Sequence, residues 1–75
     1  MDKFKKMKEE AVTALSILCG CNVQNTHDGV QDALEKVFHH GSYKDGAQAV
    51  VLVSQWMWAD CETRYHSNSN ATTEN

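Results

Sequence analysis

Between Tyr43 and Tyr65 the apolar side chains fall on two separate sides of a helix, and that double face limits what the chain can become. With Val50 set at 0°, Ala47, Val50, Val51, Val53, Met57, Trp58, Cys61 and Tyr65 occupy a broad arc from about 300° to 100°. Ala49, Leu52, Trp56 and Ala59 occupy a second arc, from about 180° to 260°, at the three, four, three spacing of a helix-packing seam. Lys44, Gln48, Gln55 and Glu62 part the two arcs on one side, and Asp60 parts them on the other. A strand over residues 49–53 is the competing reading, because Val-Val-Leu-Val favours extended backbone. Helix is preferred, since the chain offers no second strand for it to pair with.

Two more segments have a single apolar face. From Lys3 to Cys19, Phe4, Met7, Ala11, Ala14 and Leu18 recur at helical spacing, with Val12, Leu15 and Cys19 beside them and Lys6, Glu9, Thr13 and Ser16 opposite. Gly20 stands where a helix commonly stops in a left-handed conformation. Residues 20–26 read as a loop, and Asn25 or Thr26 can cap the next helix, with Asp28 in its first turn. Val30, Ala33, Leu34, Val37 and Phe38 form the apolar stripe of a helix over 27–40 that His39, His40 and Gly41 close. Ser42 with Asp45 makes a variant capping box, and so short a connection predicts an antiparallel hairpin of the second and third helices. The expected fold is therefore all-α: three helices at about 3–19, 27–40 and 43–65 in one domain over 1–66, followed by a disordered polar tail over 67–75. A chain of 75 residues with 41% hydrophobic residues and no proline suits one small core, which at this size usually gains from a partner.

That expectation leads to the third helix. Trp56 and Trp58 lie about 200° apart around its axis, so one small core is not expected to bury both indoles. The sequence reading assigns the broad arc to the core and leaves Ala49, Leu52, Trp56 and Ala59 as an interface, by default with a second copy about a two-fold axis. Its alternative is coverage of the third helix from both sides within one chain. The function that follows is a non-enzymatic protein-interaction module, a regulator, adaptor or inhibitor, working as a homodimer or on a protein target.

Charge supplies the runner-up. The net charge is −3, yet Lys3, Lys5, Lys6 and Lys8 crowd the first eight residues, at the end of a helix where the dipole disfavours cations. The acidic remainder repels phosphate backbones, so only this Lys-rich turn, with Phe4 and Met7, is a candidate for contact with nucleic acid or an anionic membrane. No apolar run is long enough to span a bilayer, and polar Lys8, Glu9 and Glu10 follow the basic start instead of a signal-like apolar stretch. A cytoplasmic setting is expected.

Catalytic and metal chemistry find little purchase. Cys19, Cys21 and Cys61 are odd in number, which predicts reduced thiols, with Cys19 and Cys61 packed as small core residues and Cys21 exposed. Cys-Gly-Cys with His27, completed by Cys61 or by one of His39 and His40, is a candidate zinc set for a metal-stabilised domain, although one residue between cysteines is short of the usual two to four. His39 and His40 stand about 100° apart on a helix and do not chelate one ion together. There is no nucleophile elbow, and the four glycines are dispersed rather than gathered in a phosphate loop. No enzyme activity and no cofactor are expected. Asn70-Ala71-Thr72 matches the glycosylation triplet, without meaning where there is no export route.

Overall fold

The computed structural model of the protein describes residues 3–73, and their side chains as far as residue 64. Three α-helices make up the fold: α1 (Lys3–Cys19), α2 (His27–His40) and α3 (Tyr43–Thr73). The all-α expectation and the starts of all three helices agree with it. α3 runs past the expected stop near Tyr65, so the backbone of residues 67–73 is helical where the sequence reading put a tail. After Gly46 nothing in that stretch breaks a helix, and each added residue gains one backbone hydrogen bond for one residue fixed. Glu74, Asn75 and the side chains of the Asn70-Ala71-Thr72 triplet lie outside the described residues.

Local chemistry sets the helix ends. Gly20, at φ +65°, takes the left-handed conformation that closes α1, and its N–H donates to the Ser16 carbonyl at 2.9 Å. The Ser16 hydroxyl is used twice: it donates to the Val12 carbonyl at 2.9 Å and accepts from the Val23 N–H at 3.3 Å. This ties the loop to the helix it leaves, and Val23 is driven into the core beneath it. The Thr26 hydroxyl accepts from the Gly29 N–H at 3.0 Å and so caps α2. Gly29 is required by proximity, because a Cβ there would stand 2.3 Å from the Gln24 carbonyl oxygen. At the third start, the Ser42 hydroxyl accepts from the Asp45 N–H at 3.1 Å, the cap that the Ser-x-x-Asp spacing predicts.

The core draws on all three helices and the loop: Ala11 and Leu15 from α1, Val23, then Val30, Ala33 and Val37 from α2, and Ala49, Leu52, Val53 and Trp56 from α3. This reverses the assignment of the two α3 faces. Ala49, Leu52, Trp56 and Ala59, expected as an open seam, are all buried within their own chain, with Trp56 only 2% exposed. The small alanines do admit a close helix, as the sequence suggested, but the helices admitted are α1 and α2. Val53, grouped with the broad arc, also turns inward.

Burial of Trp56 is completed by polar partners from far along the chain. Its indole N–H donates to the Asn25 side-chain oxygen at 2.7 Å, and the His27 ring meets it edge-on at a centroid distance of 6.3 Å. The Lys8 ammonium lies 5.1 Å from its ring centroid while pairing with Asp60 at 2.9 Å. An indole in a core needs its N–H satisfied, and these contacts let the largest side chain of α3 leave water without an orphaned donor.

Candidate protein-interaction face

With the narrow arc buried, the broad arc of α3 is left facing outward. Tyr43 is 94% exposed and Trp58 52%, and Ala47, Val50, Val51, Met57 and Cys61 are exposed between and beside them. Ser54 lies among them and is exposed too. Phe38, read from the sequence as part of the α2 core stripe, is 57% exposed and extends the face sideways. Its ring lies on the backbone of α3 because position 46 is glycine, where a Cβ would stand 3.1 Å from two ring carbons. Phe38, Tyr43, Gly46, Ala47 and Val50 line a shallow apolar groove of about 540 Å³ with the Gly41–Ser42 turn at its end. At the other end of the face, the Phe4 ring meets Trp58 edge-on at 5.3 Å, and the Gln31 amide donates to the Met57 sulfur at 3.6 Å. Trp58 is thus held in place by α1 while half of it stays in solvent.

The area is substantial. Large aromatic side chains expose about 150–250 Å² each, so Phe38, Tyr43 and Trp58 together leave roughly 400 Å² of aromatic surface in water. Patches of that size on a small protein are commonly functional. The exposed apolar surface lies on the helix that the two-arc pattern singles out, but on the opposite side from Ala49, Leu52, Trp56 and Ala59. A clue was present: Ser54 stands in the middle of the broad arc, whereas the narrow arc carries no polar side chain between Ala49 and Ala59.

The basic turn is smaller than the sequence suggested. Of its four lysines, Lys8 is withdrawn into the Asp60 ion pair, with side-chain exposures of 17% and 18%, and Asp60 also takes Arg64 at 3.0 Å. Lys3, Lys5 and Lys6 remain exposed, Lys3 standing 5.3 Å over the Phe4 ring.

The cysteines depart from expectation. Cys19 and Cys21 are joined in a disulfide across Gly20, so neither is a reduced thiol and neither offers the thiolate a zinc site needs. Cys19 does pack against the core, but Cys61, also expected there, is exposed and free. Among the described residues, no three of Cys, His, Asp and Glu converge on one point. None of the described helices is long and apolar enough to cross a membrane. Compared with protein-family models, curated proteins and solved structures, the chain matches none.

Proposed function

We propose that the protein is a non-enzymatic interaction module, a regulator, adaptor or inhibitor, that docks through the outward arc of α3. The observation that carries this reading is the continuous exposed apolar face from Tyr43 to Cys61, widened by Phe38, on a helix whose opposite face is already spent on the core. Interfaces draw on such anchors, with tryptophan and tyrosine over-represented among the residues that dominate binding energy. The same reading takes α2 and α3 as an antiparallel hairpin. Two contacts support it: Phe38 on Gly46 beside the connection, and Gln31 on Met57 away from it. Such a hairpin holds the face rigid, so little ordering entropy is lost on docking.

The test is substitution on the face against substitution beneath it. Trp58→Asp is expected to abolish association while leaving helical circular dichroism intact and lowering the melting temperature only modestly, by loss of the Phe4 contact. Retained association in that variant would sink the reading.

The alternative, contact with an anionic surface through the start of α1, now rests on Lys3, Lys5 and Lys6 beside the Phe4–Trp58 aromatic pair. Salt-sensitive binding to anionic vesicles, lost in a Lys3→Glu/Lys6→Glu variant, would favour it over the first reading. The Cys19–Cys21 bond weighs against a cytoplasmic location, where such a pair is ordinarily kept reduced. Alkylation during lysis followed by mass measurement reads their state directly, and a bonded pair points to oxidising surroundings.

A further inference from the structure

The occupant of the α3 face follows from the order of side chains along it. This inference rests on the interaction reading above and deepens it. Tyr43, Val50 and Met57 recur every seven residues, and so do Ala47, Ser54 and Cys61. The two rows alternate at four and three, which is the seam of a coiled coil, with one row small and the other larger. The row of larger side chains is apolar, and all six positions are exposed. A face built this way is complementary to its own reverse. Turned end for end about position 52, it sets Ala47 against Met57, Ser54 against Val50 and Cys61 against Tyr43, a small side chain opposite a larger one in every layer.

The flank agrees. Lys44 and Glu62 are separated by five full turns and share one line along the helix. A reversed second helix brings the Lys44 end of one copy over the Glu62 end of the other, with the exposed Trp58 one turn away to receive the lysine stem. Val51 then faces its own copy beside the axis. The area fits as well: a standard interface takes about 800 Å² from each partner, and the aromatic side chains of this face alone supply roughly half of that.

We infer that the α3 face is occupied by a second copy of the chain, paired antiparallel about a two-fold axis that crosses the exposed face at the level of position 52. In this arrangement the two Cys61 thiols stand about 27 Å apart along the seam, and each lies opposite the partner's Tyr43. The register is therefore open to a direct test on the full chain. Tyr43→Cys, at a fully solvated first-turn position, is expected to form a covalent dimer through Cys61 under mild oxidation, while wild type does not cross-link. Val51→Asp, which places two carboxylates at the axis, is expected to weaken dimerisation by at least about 100-fold in sedimentation equilibrium without loss of helical signal.

Wild type that sediments as a monomer at every concentration overturns the inference, as does cross-linking of wild type through Cys61 as ready as that of Tyr43→Cys, because the antiparallel register holds the two wild-type thiols apart. These failures are separable from failure of the underlying reading. A monomer whose capture of a protein target is still lost in Trp58→Asp keeps the face as an interaction surface and gives it a different occupant. A monomer in which Trp58→Asp changes no association removes both.

Discussion

Single residues decide which side of α3 is inside. The Trp56 N–H bond to Asn25 is short at 2.7 Å and joins two segments 31 positions apart. Replacing Asn25 with alanine leaves a donor in a nearly closed core, and urea denaturation is expected to register a loss of about 1–2 kcal/mol. Trp56→Ala removes the indole itself and is expected to cost about 3–5 kcal/mol, a large part of what a domain of this size has to lose. The Lys8–Asp60 pair is a smaller matter. It is mostly shielded from water and its carboxylate also serves Arg64, so Asp60→Ala is expected to destabilise by roughly 1–2 kcal/mol, and less at high salt. The pair also accounts for part of a local conflict that the sequence displays. Lysine is unfavourable at the start of a helix, and at Lys8 a carboxylate from α3 offsets the dipole. Apart from Asp60 with Arg64, which stand four apart on α3, these partnerships are not visible in the sequence, because they join residues from different elements and no periodic pattern encodes such a pair.

At the scale of the element, the helices themselves were legible and their faces were only partly so. Punctuation did the work: Gly20, Thr26, Gly41 and Ser42 carry backbone or capping roles that their residue types announce. Periodicity places apolar residues on a face but says nothing about which of two apolar faces is covered, and α3 has two. Width was the wrong guide. The narrower arc is buried because its alanines admit two helices at once and because its one large ring finds Asn25. The turn between α1 and α2 is the element most open to test. It is tied by Ser16, by the close approach at Gly29 and by the Cys19–Cys21 bond. A bridge closing so short a loop is expected to contribute only about 1.5 kcal/mol by loop-entropy reasoning, so reduction should lower the melting temperature modestly without unfolding the chain. Gly29→Ala pushes a methyl group into the Gln24 carbonyl and is expected to cost more, about 1–3 kcal/mol, measured by thermal melting.

For the molecule as a whole, the two sides of α3 divide the labour. Leu52 is buried and Val50, two residues away, is exposed. Leu52→Asp is expected to unfold the protein, and Val50→Asp to leave it folded and unable to associate. Circular dichroism with sedimentation separates the two outcomes in one afternoon's samples. From helical spacing alone the opposite outcome is expected for Leu52, because it falls on the narrower arc, read as the interface. The sequence does show that the third helix has more apolar surface than two short neighbours can shelter, and the outward Tyr43, Val51 and Trp58 are that excess.

The placement of the two indoles gives the protein a pair of independent reporters. Trp56, sealed in and hydrogen-bonded, emits from a dry environment and should resist a collisional quencher such as iodide until the bundle opens. Trp58, half in solvent beside Phe4, should be quenched freely in the isolated chain and become shielded when something settles on it. Single-tryptophan variants retaining one or the other would therefore let unfolding and docking be followed as separate optical signals, with no label attached.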